Sequence, residues 1–131
     1  NLFLGKLARM AGADVVMINT PYGGYPLTKS RYLRTAHELI LDHPVYKKVM
    51  PSCGGGVNPG IVPTYMEELG NDIVLAAGGA VQGHPDGAAA GAKAMLQAID
   101  ASMNKIDLKE AALTKKELKK AIDMWGIHGR D

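Results

Sequence analysis

Two glycine runs, Gly54-Gly55-Gly56 and Gly78-Gly79, are the residues of this chain best suited to chemistry on a ligand. A phosphate needs several backbone N–H groups aimed at it and no Cβ in the way, and glycine meets both needs. Each run follows a short apolar stretch and leads toward a helical pattern, so each lies where a strand ends and where a helix N-terminus favours an anion. The second run sits within Ile73 to Asp86, IVLAAGGAVQGHPD, which reads as strand, glycine loop and helix start. The competing reading is that these glycines serve only tight turns and close packing. The candidate phosphate-binding residues are Gly55, Gly56, Gly78 and Gly79. No catalytic residue and no metal ligand is assigned.

The other reactive side chains are weaker candidates. His84, between Gly83 and Pro85, is either a turn or cap residue bonded to backbone or a catalytic base. Cys53, at a strand end, is a small core residue or a nucleophile, and no neighbouring base activates it. Lys29 and Lys93 could reach an anion from helix starts, or be solvated lysines. No His and carboxylate cluster has metal-ligand spacing, and no paired carboxylates recur on one face.

Composition narrows the classes. A chain of 131 residues with 47% hydrophobic content can bury one core. Its net charge is +2 and its basic residues are not interleaved with aromatics, which argues against a nucleic-acid partner. The basic run Lys115, Lys116, Lys119 and Lys120 reads as the solvated face of a helix. The single cysteine excludes an internal disulfide and fits a cytoplasmic location. Neither a bilayer-spanning run nor a leader is present, so no membrane partner is expected. The chain opens on Asn1 in a helical pattern, as a fragment beginning partway through an element would.

The elements that must position the glycines follow in order. Phe3, Leu7 and Met10 mark a helix that Gly12 ends. Val15 to Ile18 is a continuous apolar run, as for a strand buried on both faces, and Asn19 to Gly24 is its turn. Thr28 caps a helix with a stripe of Tyr32, Leu33, Ala36, Leu39 and Ile40, which His43-Pro44 stops. A strand near Lys47 to Ser52 runs into the first glycine run, and Asn58-Pro59 opens a helix that Gly70 ends. The third strand is Ile73 to Ala77. Beyond Asp86, Ala92, Met95, Leu96, Ile99 and Met103 form the stripe of a long helix. Two capping boxes, Asp107 with Glu110 and Thr114 with Glu117, follow, and the second opens a helix ending at Gly126. Apolar strands alternating with helices predict a parallel sheet, whose C-terminal edge is where α/β proteins bind ligands.

GADVVMINTPYGG, MPSCGGGVNPGIVP and VLAAGGAVQGHPDGAAAGAKA together resemble the last three βα units of the ribulose-bisphosphate carboxylase (RuBisCO) large-chain superfamily. The resemblance covers roughly residues 2 to 103. It implies units six to eight of a (βα)8 TIM barrel in residues 1–103 and a helical extension in residues 104–131. It also implies a homodimer or larger homo-oligomer, a phosphorylated small-molecule substrate, and a Mg²⁺ whose ligands are not in this sequence. Gly56, Gly78 and Gly79 match positions whose amides hold one substrate phosphate, with Gly55 beside them.

The departures from that family are as informative. The lysine that carboxylases carry on the loop after the sixth strand aligns, ungapped, with Gly24; a strand histidine aligns with Met17 and a serine with Gly54. Losing a cation that neutralises developing charge costs about 3 to 4 kcal/mol of barrier, by analogy with an oxyanion-hole donor. A second phosphate beside Met would be left without partners. The resemblance therefore implies a RuBisCO-like enzyme enolising or isomerising a keto sugar with one phosphate, such as the 2,3-diketo-5-methylthiopentyl-1-phosphate enolase. The alternatives are a true carboxylase large chain, with Lys29 as the loop lysine after an insertion, and a non-catalytic anion-binding module.

Overall fold

The computed structural model describes residues 2–128; Asn1 and residues 129–131, the outermost positions of the two expected portions, lie outside them. The described residues fall into two compact units, one of residues 2–55 with 72–76 and one of residues 56–71 with 77–128.

The first unit contains helix α1 (Leu2–Met10), strand β1 (Val15–Ile18), helix α2 (Lys29–Ile40), strand β2 (Met50–Gly54) and strand β3 (Val74–Ala76). The strands form one parallel sheet in the order β1-β2-β3, with Ile18 opposite Cys53 and Gly54 opposite Ala76. Gly12, at φ +91°, ends α1 as its position predicts. Helix α2 packs on β1 and β2 through Tyr32, Ala36 and Leu39, with Ile18, Val49 and Cys53 completing a buried core. Of the expected stripe of α2, Tyr32, Ala36 and Leu39 are buried and Leu33 and Ile40 only half-buried, while Thr35 joins the buried face.

Two strand expectations need correction. Strand β1 is not buried on both faces: Val15 and Met17 are exposed while Ile18 is buried. Within this unit the helices cover only one side of the sheet. Strand β2 begins at Met50 rather than near Lys47, because the Val49 N–H donates to the Leu39 carbonyl and only the Met50 N–H reaches across to Asp14. That bond fixes the alternation. Met50 turns toward β1, so Pro51, which lacks an N–H, turns toward β3 just before β2–β3 pairing starts at Ser52. Central-strand proline is thus tolerated without a lost ladder bond.

The second unit holds a 3-10 turn (Pro59–Ile61), α3 (Val62–Leu69), α4 (Gly78–Gln82), α5 (Ala88–Met103), α6 (Leu108–Thr114) and α7 (Lys116–Trp125). Asn58 caps the 3-10 turn, its Oδ1 accepting from the Gly60 N–H at 2.9 Å, so the Asn-Pro start leads first into that turn and then into α3. Helix α5 is the centre, touching α3, α4, α6 and α7. Its buried stripe is Gly91, Ala94, Met95, Ala98 and Ala101; of the expected residues only Met95 belongs to it, Ile99 is half-buried, and Ala92, Leu96 and Met103 are exposed. Small residues let several helices approach closely: a Cβ on Gly91 would stand 2.2 Å from the Val81 carbonyl oxygen. Size, rather than hydrophobicity, selects the buried face here.

Candidate phosphate site

Residues at the C-terminal ends of the strands form one cluster in the first unit. The β1–α2 loop is closed by the Leu27 N–H donating to the Thr20 carbonyl, and the Tyr22 N–H donates to Thr20 Oγ1. The Tyr22 ring meets Tyr32 edge-on, with centroids 6.5 Å apart. Gly23 rests on the next strand's loop so closely that a Cβ there would stand 2.5 Å from the Gly55 carbonyl oxygen. Gly24, next along, is exposed and meets nothing within 4 Å. Beneath the loop, a Cβ on Gly54 would lie 3.2 Å from Met17 Sδ, so the two positions singled out by the departures are neighbours in space.

The candidate glycines divide into two pairs with different reasons for being glycine. Gly55 and Gly56 follow β2 with φ of +78° and +93°, a left-handed conformation that side chains rarely adopt. Turn geometry alone accounts for them. Gly78 and Gly79 are not in a loop, as the sequence reading has it; they are the first two residues of α4. Neither has a positive φ, and a Cβ on either would meet nothing within 4 Å among the described residues. Neither strain nor packing within the chain demands glycine there. Bare, outward N–H groups at a helix start suit the approach of an anion.

His84 fixes the segment that follows α4. It is buried, its Nδ1 accepts from the Asp86 N–H at 3.1 Å, and its Nε2 lies 3.0 Å from the Glu117 carbonyl oxygen. A ring with one nitrogen accepting and the other donating is the neutral tautomer, fully engaged by backbone. The turn-residue reading of His84 matches these contacts. Asp86 accepts two hydrogen bonds from Lys120 Nζ, which hold its carboxyl below the usual range. Glu117 is held down at about 2, chiefly by hydrogen bonds from Lys93 and Gln97. Together these contacts staple the α4–α5 connection and α5 to the start of α7.

The remaining candidates resolve. Cys53 is fully buried core. Lys93 lies inside α5 and pairs with Glu117 at 2.7 Å, and Lys29 is the first residue of α2. The Thr114–Glu117 box does not form: Thr114 Oγ1 donates back to the Ala111 carbonyl, and Lys115 is the N-cap of α7. Gln97 serves instead, accepting from the Leu118 N–H at 3.0 Å and donating to Glu117. Sequence reading missed Gln97, as it missed Arg9, because both act on partners distant along the chain. No described helix is long and apolar enough to cross a membrane.

A family model for the ribulose bisphosphate carboxylase large chain, catalytic domain, matches residues 2–125. The 2,3-diketo-5-methylthiopentyl-1-phosphate enolase of Geobacillus kaustophilus is 41% identical over 127 residues, covering 97% of this chain and 31% of that enzyme. A rubisco-like protein from Alicyclobacillus acidocaldarius superposes with TM-score 0.88 at 38% identity, over 94% of this chain and 31% of that one. The octameric ribulose-1,5-bisphosphate carboxylase/oxygenase of Pyrococcus horikoshii does so with TM-score 0.89 at 38% identity, over 98% of this chain and 31% of that one. The chain thus spans about a third of the length of these relatives, and its three βα units with their following helices are the C-terminal part of such a barrel. Identity of 38% to both kinds of solved structure does not separate enolase from carboxylase. The chain belongs to the RuBisCO large-chain catalytic-domain family.

Proposed function

We propose that the complete protein is a RuBisCO-like enzyme that enolises or isomerises a phosphorylated keto sugar carrying a single phosphate, and that this segment holds the phosphate. The backbone N–H groups of Gly78 and Gly79, with those of Gly55 and Gly56, are the proposed ligands. The observation that carries the choice of reaction is Gly24: the loop after β1 is closed and seated through Gly23, and at Gly24 it offers no cation to a developing carboxylate. Met17 and Gly54 support the same choice, since neither side chain can replace the hydration of a second phosphate.

In this reading the segment contributes binding and orientation. Backbone amides fix one end of the substrate, so that its carbonyl is presented in one geometry to groups elsewhere in the barrel. Among the described residues no group of three or more His, Cys, Asp and Glu could hold a metal ion. The residues here do not fit a Mg²⁺ site, and no step is derived through one; the Mg²⁺ proposed by family likeness needs ligands from the rest of the protein. A homo-oligomer is proposed on the likeness to the octameric Pyrococcus horikoshii protein, and a cytoplasmic location on the sequence's single cysteine, which leaves no internal disulfide.

Solvent deuterium exchange into ketose monophosphates by the complete protein tests the proposal. Exchange at the carbon next to the carbonyl, without fixation of labelled bicarbonate onto ribulose bisphosphate, is the expected result. Clear carboxylation would overturn it and return Lys29, on the first turn of α2, to consideration as the loop lysine.

A further inference from the structure

A groove of about 850 Å³ opens in the second unit, lined on one wall by α3 and on the other by the end of α5 with the turn into α6. That volume lies in the range of small-molecule sites. Met66, Met103, Ile106, Ile122 and Ile127 line it with apolar surface, and Met103 and Ile106 are 59% and 41% exposed. His128 closes one end: its N–H donates to the Gly60 carbonyl and its carbonyl accepts from Thr64 Oγ1, both at 3.2 Å. None of the four candidate phosphate glycines lines the groove, so its role is separable from the function proposed above.

The charges around this apolar lining are of both signs. Glu67 belongs to the α3 wall, Lys105 and Lys109 to the other, and none of the three has an ion pair among the described residues. Asp107, the remaining carboxylate, is engaged as the N-cap of α6, accepting from the Lys109 N–H at 2.8 Å. Lys105 is also the one non-glycine residue with a positive φ among the described residues, at +57°. That conformation disfavours any side chain, and glycine is the usual residue just past a helix end. The Lys105 ammonium is not needed to cap α5, because the carbonyls of Asp100, Ala101 and Ser102 already accept from the N–H groups of Asn104, Ile106 and Lys105. A ligand anion gives a strained, unpaired lysine a function at this place. We infer that the groove binds a small zwitterion with an apolar body, of the chemical class of the aliphatic α-amino acids. Its chain lies among the methionines and isoleucines, its carboxylate meets Lys105 and Lys109, and its ammonium meets Glu67. A ligand with a single charge would answer only one wall.

Calorimetric titration of the complete protein with norleucine, alanine, hexanoate and pentylamine tests it. Norleucine should bind about tenfold more tightly than alanine, through partial burial of its longer chain. Hexanoate and pentylamine, which each keep one of its charges, should bind roughly three- to fivefold more weakly than norleucine, the scale of an exposed ion pair. Lys105→Gly should raise the melting temperature by relieving the left-handed side chain, yet weaken norleucine and hexanoate about threefold and leave pentylamine unchanged. A merely structural lysine would give the first effect without the second. Glu67→Gln should do the converse, weakening norleucine and pentylamine and sparing hexanoate. Met103→Ser, at an exposed position that folding tolerates, should narrow the gap between norleucine and alanine. Inorganic phosphate should leave the norleucine isotherm unchanged. Equal binding of norleucine and alanine, equal binding of norleucine and hexanoate, displacement of norleucine by phosphate, or no binding of norleucine would each overturn this inference while leaving the phosphate site standing.

Discussion

A glycine reports on a ligand only where nothing in the folded chain requires it. Gly55, at φ +78°, is required by its own backbone, so Gly55→Ala should cost about 1–2 kcal/mol of stability whatever it does to binding. Gly78 and Gly79 are the opposite case, open at the start of a helix. Alanine there should be neutral or stabilising by up to about 1 kcal/mol, because glycine is the poorer helix former. Phosphate affinity should nevertheless fall about tenfold, as a Cβ blocks the approach to the amides. Thermal melts beside phosphate titrations of each variant check both halves, and intact binding in Gly78→Ala with Gly79→Ala would remove the proposed cradle. The glycine runs themselves were legible in the sequence. That one pair is dictated by a turn and the other is not could only be seen in the backbone angles, and the Met17–Gly54 contact needed the strand register.

Long-range hydrogen bonds fix the elements that carry these glycines. Arg9, 7% exposed on α1, donates to the carbonyls of Glu38, Leu41, Tyr46 and Lys47 at 2.6 to 3.0 Å, closing the C-terminal end of α2 and the start of the segment after it. Hydrogen bonds to a charged donor are worth about 1.5–3 kcal/mol each, and not additively, so Arg9→Ala should cost about 3 kcal/mol in urea unfolding. Arg9→Lys should recover only part of it, since an ammonium lacks the planar fork. The start of α7 is a second such case. Local pattern reading puts a capping box at Thr114 and Glu117, whereas Gln97 of α5 supplies the partner from across the fold. Spacing within one segment cannot reveal a cap that arrives from another helix. The pH consequence is directional: Glu117 has its carboxyl lowered from 4.5 to about 2 in the folded chain. Its contribution is therefore fully present above the unfolded value and is lost as pH falls from about 4.5 toward 2. Glu117→Gln should flatten the acid limb of urea midpoints in that window while leaving those near pH 7 little changed relative to one another.

At the scale of the whole molecule, the alternation of apolar runs with helical patterns made the parallel α/β order legible, but not which strand face is covered. A four-residue apolar run such as Val15 to Ile18 reads alike whether both faces or one are buried within the chain. The structure leaves Val15, Met17, Met50 and Val74 exposed on the strands and Phe3, Leu4 and Met10 exposed on α1. The outer edges of β1 and β3 also have no strand partner among the described residues. Exposed apolar surface and unpaired parallel edges drive association. The 131-residue chain studied alone should therefore associate in sedimentation velocity as its concentration rises, and should bind a hydrophobic dye. On the proposed reading, the complete protein should show neither effect beyond the proposed homo-oligomer, because the remaining strands of the barrel would occupy those edges. If the isolated chain were instead monomeric, unfolded in one cooperative transition and bound phosphate with an affinity that Mg²⁺ did not change, it would be a self-sufficient anion-binding module. The enzyme reading would then have to rest on the remainder of the barrel alone.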